Sequence, residues 1–234
     1  DLSLFANLSS TERAPNPVEL FAQGPHNASR TFEFGDPLFN KERAKSVEGG
    51  IRLIHPDGDR ASFTMFGTKY DNFINGFLTG NSYDEDGNFI PDLSGHFREL
   101  IFRQQKATFW GTEAEVHWHI AYFATGRWGA EAQADYVRAT LDAGGNAPRI
   151  TPFRYGGGLF FESTMMELRI NALRTDRQNA LANLETPTPG FWMVNASATF
   201  HLYSGPEGDI DVSLSGTNLT DEISRNAISF TKDY

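Results

Sequence analysis

The chain has no cysteine. Disulfide frameworks and thiolate–metal scaffolds are thereby excluded, and the absence suits an oxidising compartment where free thiols are a liability. There is no run of about 18 apolar residues, which excludes a helical membrane span. Strands escape that exclusion, because one crosses a bilayer with about 9–11 residues of which only alternate ones need be apolar. Positive charge is in the minority: 20 Lys and Arg against 30 Asp and Glu leave a net charge of -10 over 234 residues. An extended nucleic-acid surface does not fit that balance, and no nucleic-acid partner is expected. A Gly-rich phosphate loop and a nucleophile elbow are also missing, so no enzyme is expected. What is plentiful is Gly (22) and Phe (20), in a chain that is 39% hydrophobic with a mean hydropathy of -0.42. That mixture favours strands and turns over helices.

The dominant pattern has period two. Ile210, Val212, Leu214 and Gly216 share one face, and Asp209, Asp211, Ser213 and Ser215 the other. Val194, Ala196, Ala198, Phe200 and Leu202 likewise oppose Asn195, Ser197, Thr199 and His201. Nine strands are expected, over 1–13, 43–54, 60–74, 99–122, 128–141, 153–162, 165–177, 191–203 and 209–219. At about 10–14 residues, many exceed the five or six usual in soluble sheets. Short turns at 55–59, 124–127 and 204–208 alternate with long polar loops over roughly 14–42, 75–98, 142–152 and 178–190. Short turns at one end and long loops at the other are the plan of an outer-membrane barrel.

The strand over 108–120 sharpens this reading. One face carries Trp110, Ala114, Val116, Trp118 and Ile120, the other Glu113, Glu115, His117 and His119. The two tryptophans stand roughly 26 Å apart along the strand, or roughly 19 Å along the membrane normal at a 45° tilt, close to the height of an apolar band between aromatic girdles. Four ionisable side chains in a row suit a watery lumen and not a dry core. The fold class expected is all-β, a transmembrane antiparallel β-barrel, with Glu113, Glu115, His117, His119 and His201 facing the lumen. The rival is a soluble β-rich module that binds ligands through its long loops.

Nine strands is an odd number, whereas bacterial single-chain barrels have even numbers. The chain is therefore expected to be a segment of a longer barrel, with a return strand beyond Tyr234. Its last stretch, GTNLTDEISRNAISFTKDY (216–234), resembles the next-to-last strand and last long loop of TonB-dependent outer-membrane receptors. ERAPNPVELFAQGPHNASRTFEFGDPLFNKERAKSVEGGIR (12–52), NAPRITPFR (146–154) and LETPTPGFWMVNASATFHLY (184–203) resemble further blocks of that family in the family's order. The resemblance implies a 22-stranded barrel closed by a globular plug, with this chain (1–234) as strands 13 to 21 and neither the plug nor the last strand included. It implies a bacterial outer-membrane location, contact with outer-membrane lipid, and import of a scarce extracellular ligand. It also implies an inner-membrane TonB complex acting through the plug that this chain lacks.

The Gly-Pro-His loop resembles the branch of the family associated with zinc and other metals. There His26, Glu33 and Asp36 supply an imidazole and two carboxylates within ten residues, ligands that a borderline cation accepts, although polar loops carry such residues by default. His96 is a further loop candidate. His117 and His119 lie on one strand face about 7 Å apart, workable for one metal with a third ligand, or simply as lumen lining. The loop YDEDGNFIPD (83–92) offers Asp84, Asp86 and Asn88 oxygens to a hard cation but lacks calcium-loop spacing, so a solvated hairpin tip is the simpler reading. Ala227 stands where some family members carry His. No resident cofactor is expected. A metal ion or metal complex (zinc, a siderophore or haem) would be cargo.

Overall fold

A computed structural model describes residues 1–232; Asp233 and the terminal aromatic Tyr234 lie outside the described residues. The first half runs β1 (Leu2–Arg13), α1 (Pro17–Phe21), β2 (Gln23–His26), β3 (Thr31–Phe34), β4 (Glu42–Ile54), β5 (Arg60–Tyr83) and β6 (Phe89–Ile90). The second half runs β7 (Phe97–Phe123), β8 (Gly126–Leu141), β9 (Arg154–Glu162), β10 (Met166–Thr175), β11 (Phe191–Gly205) and β12 (Gly208–Gly216). Nine of these form one antiparallel path, β1-β4-β5-β7-β8-β9-β10-β11-β12, in which each strand pairs with the next long one in sequence.

Lateral rows across the path show why the sequence alternates. Following the pairing gives Leu2, Leu53, Ala61, Val116, Ala132, Gly157, Ala172 and Val194 side by side over eight strands. One residue along, on the other face, the row reads Ser3, Arg52, Ser62, Glu115 and Gln133. The apolar face is bare: Leu4, Ile51, Phe63, Val116, Ile120, Leu159, Ile170 and Leu214 are all exposed. A continuous apolar surface of this extent is the outside of a membrane wall.

A chain of rings borders that surface toward the long loops. Trp110–Tyr136, Tyr136–Phe153, Phe153–Tyr155 and Tyr155–Trp192 follow one another at centroid separations of 5.5, 6.1, 5.0 and 6.1 Å. Trp128 against Phe161, at 5.0 Å, marks the opposite rim. The short turns are as expected: His55 N donates to Asp59 O at 2.8 Å, with Gly58 at a φ of 93° that favours glycine.

The long-loop end departs from expectation. The strand expected over 60–74 continues to Tyr83, and β7 begins at Phe97, so the loop expected over 75–98 shrinks to 84–96. Asn75, Gly76, Gly80 and Asn81 look like loop residues, but Asn75 pairs with Arg103 and Gly76 with Phe102, while Gly80 and Asn81 lie in a bulge between the paired Leu78 and Ser82. A Cβ on Gly76 would lie 2.9 Å from Leu100 Cδ2, so glycine admits the leucine. Register shifts at Tyr70/Phe73 and Leu78/Ser82 absorb the remaining irregularity. The loop expected over 14–42 contains α1, capped by a reciprocal Asn16–Glu19 box, and the β2–β3 hairpin. Strand β3 runs parallel to β7, with Thr31 to Phe34 beside Arg98 to Ile101.

Candidate functional site

At the long-loop end, the β2–β3 hairpin brings two of the three expected loop ligands together. His26 Nδ1 lies 2.9 Å from Glu33 Oε1, which also accepts from Thr31 Oγ1 at 2.8 Å, while Ser29 Oγ sits 3.0 Å from the same imidazole nitrogen. The carboxylate is thus occupied in holding the hairpin. Asp36 is engaged elsewhere: its Oδ1 accepts from Leu38 N at 2.8 Å, and its N–H donates to Glu19 O at 2.9 Å. His96 stands apart, 3.3 Å from Glu85 and edge-on to Phe97. In the acidic loop, Asp84 accepts from Asn88 N at 2.8 Å, Asn88 Nδ2 at 2.9 Å and Asp86 N at 3.0 Å. The Asn88 side chain and these backbone donors hold the Asp84 carboxyl below its usual range. These bonds describe a hairpin tip.

Sequence reasoning missed a cavity of about 370 Å³ among the same loops. Leu78, Leu100 and Leu184 supply apolar lining, Arg98, Arg149 and Lys232 positive charge and Glu185 negative charge, with Lys232 Nζ already donating to Thr186 O at 2.5 Å and Thr188 Oγ1 at 2.8 Å. Arg98 Nε is buried with no hydrogen-bond partner. Arg149 packs its guanidinium 3.6 Å from the Phe230 ring centroid, and burial lowers its pKa, with Glu185 acting the other way. Its backbone holds a left-handed φ of 57°, and its N–H donates to Glu185 Oε1 at 3.1 Å. A non-glycine residue in that conformation, fixed by a neighbour, marks a position determined by its surroundings. No spacing rule links residues 98, 149 and 232.

The polar face of the wall carries a second hollow, about 600 Å³, bordered by Arg52, Arg60, Glu115, His117, Glu131 and Arg169. Glu113 opens onto a smaller recess beside it with Asp135 and Arg154. Glu113 and Glu115 are exposed on this face, whereas His117 and His119 are buried. Nearer the short turns, His119 Nδ1 lies 2.6 Å from Asp59 Oδ1 and Nε2 lies 3.3 Å from Glu162 Oε2. Arg127 reaches the same Glu162 oxygen at 2.9 Å and donates to Asp57 O at 3.1 Å. His201 sits two strands beyond β9, 2.9 Å from Asp211 and 3.8 Å from Glu167.

The family model described as "TonB dependent receptor-like, beta-barrel" matches residues 1–219. Among solved structures, the copper transporter OprC superposes with a TM-score of 0.74 at 18% identity, over 97% of this chain and 32% of that one. A variant of the ferric enterobactin receptor PfeA from Pseudomonas aeruginosa gives 0.61 at 15% identity, over 97% and 34%. The siderophore receptor PirA from Acinetobacter baumannii gives 0.60 at 15% identity, over 100% and 37%. At these identities the likeness concerns the fold, and the chain spans about a third of the length of the structures it matches. A wall that is apolar outside and polar within, ringed by aromatics and matched by the family model over nearly its whole length, belongs to the TonB-dependent receptor β-barrel family.

Proposed function

We propose that this chain is part of the barrel of an outer-membrane receptor that imports a metal as a complex with an anionic chelator. The observation that carries the reading is the 370 Å³ cavity, where Arg98, Arg149 and Lys232 meet a leucine lining. An unpartnered buried Arg98 Nε is costly unless an acceptor arrives, and guanidinium groups suit planar oxyanions. The cavity falls within the usual size range for small-ligand pockets. The names of two similar structures, a ferric enterobactin receptor and a siderophore receptor, are consistent with such cargo. Uptake would be driven by an inner-membrane TonB complex acting through a plug, and the apolar face would contact outer-membrane lipid.

A second reading, capture of a bare metal ion, is favoured by the likeness to a copper transporter. Uptake of labelled metal into a receptor-deletion strain, complemented with the complete receptor, separates the two. Import of an anionic iron chelate that needs the receptor and an energised inner membrane, and that falls several-fold in Arg98→Ala and Arg149→Ala, is the expected result. Equal chelate uptake with and without the receptor overturns the first reading, and receptor-dependent uptake of free copper or zinc alone favours the second.

A further inference from the structure

His119 is held at both ring nitrogens, by Asp59 at 2.6 Å and by Glu162 at 3.3 Å. A neutral imidazole donates through one nitrogen only. With the proton on Nδ1, where the shorter contact lies, Nε2 turns a lone pair toward a carboxylate oxygen. Two acceptors then face each other; Arg127 neutralises the Glu162 side at 2.9 Å, and the lone pair on Nε2 is left for a cation to bridge. His117 stands two residues away on the same face of β7, 8% exposed, with Nδ1 lacking any hydrogen-bond partner. One donor atom from each of His117, His119 and Glu162 lies within 4.8 Å of the others, a convergence that no other three such residues show among the described residues. We propose that these three residues hold a divalent borderline cation, zinc being the best fit, on the polar face of the wall close to the short turns.

Two imidazoles, one carboxylate and an open fourth position make a familiar zinc donor set. Bonds of about 2.0–2.2 Å place tetrahedral ligand atoms roughly 3.4 Å apart, and the His119–Glu162 contact already has that separation at 3.3 Å. Closing His117 onto the same ion requires a shift on the order of 1 Å. Asp59 is the positioning residue: a carboxylate on the far nitrogen of a metal-bound histidine fixes its tautomer and ring angle. Glu162 shares Oε2 with Arg127, while Oε1 takes no part in these contacts. Of the arginines nearby, Arg169 pairs with Glu131 and Arg127 with Glu162; Arg60 borders the same hollow as Glu115 and Glu131. That hollow, with His117 in its lining, gives the ion a route in from the polar side.

The site is independent of what the receptor imports, so its test uses binding alone. The complete receptor, without a histidine tag, is purified in detergent, stripped with a chelator and titrated with Zn(II) against a chromophoric competitor. Cobalt(II) provides a visible-absorption signature of tetrahedral nitrogen and oxygen coordination. One equivalent of zinc is expected, weakened at least about tenfold in His117→Gln and in Glu162→Gln and about 10–100-fold in Asp59→Asn, with His96→Ala unchanged. Folding of each variant is checked by heat-modifiable migration on gels. His117→Gln removes an unsatisfied nitrogen and not a hydrogen bond, so it remains informative if Glu162→Gln fails to fold. Wild-type receptor that takes up no zinc, or folded His117→Gln that binds as tightly as wild type, overturns the proposal.

Discussion

Phe160 stacks on His117 with ring centroids 4.1 Å apart and planes 10° from parallel, although a whole strand separates β9 from β7. Gly129 on β8 makes this possible. It pairs with His119 on one side and Phe160 on the other, and a Cβ there would lie 1.9 Å from Phe160 Cζ. Phe160 is only 1% exposed and has little room to withdraw. Gly129→Ala is expected to destabilise the barrel by about 1–3 kcal/mol, the usual cost of overpacking. Urea unfolding of the complete receptor in lipid vesicles checks this. A cost near zero would mean that the ring does not cross the glycine.

The two faces of the wall predict opposite responses to charge. Ala114 lies midway between Trp110 and Trp118 on the apolar face, in a row with Leu4, Ile51, Phe63 and Ala134. Ala114→Arg is expected to cost about 2–4 kcal/mol in bilayers, as for arginine on a lipid-facing strand at mid-depth. Gln133→Arg, on the polar face beside Glu115, is expected to change stability by less than about 0.5 kcal/mol. The same vesicle unfolding assay reads both, and similar costs at the two positions would count against the assigned faces.

Glu99 fastens the extended part of β5 to β7. Its Oε2 accepts from Thr79 Oγ1 at 2.5 Å and Asn81 Nδ2 at 3.0 Å, and its Oε1 from Tyr83 Oη at 3.2 Å. Three donors converge on one buried acceptor-only group. Glu99→Gln puts an amide donor among them and is expected to loosen this segment by about 1–3 kcal/mol. Amide hydrogen exchange over residues 76–83 should quicken while exchange over 108–120 stays slow.

The acidic hairpin tip is expected to respond to pH. Asn88 holds Asp84 ionised below the usual carboxylate range, so its folded-state pKa lies below its unfolded one. The contribution to the tip's order is then fully present above about pH 4, the ordinary aspartate value, and is lost as pH falls through the depressed folded value. Protection of the Asn88 amide should hold across neutral pH and fail only in acid. Failure already near pH 6 would show that another group governs the turn.

The nine long strands were legible because one face of each meets lipid and the other water, which writes period two into the chain over its full crossing length. Beyond the aromatic rim that constraint stops. The Asn- and Gly-rich continuation of β5 therefore reads as loop, although Glu99 and Leu100 hold it in the sheet. His117 and His119 were visible as a pair, but Glu162 lies 43 positions from His119, and only the pairing of β7 with β8 and β8 with β9 brings it near. Gly129 was the available signal, a small residue on a strand where a ring from the next strand must pass. His26 and Glu33 do meet, whereas Asp36 belongs to its own turn, a distinction that depends on backbone direction after Phe34.

Strand β7 continues twelve residues past Trp110 before it reaches Arg98. That is roughly 40 Å of strand, or roughly 28 Å of height at the tilt of a membrane barrel. Salt at physiological strength screens interactions between exposed charges beyond about 8 Å. The arginines of the loop cavity are therefore electrically remote from the head groups below them. An anion that reaches the loop end of the wall therefore meets their attraction beyond the reach of charges at the level of the aromatic rim.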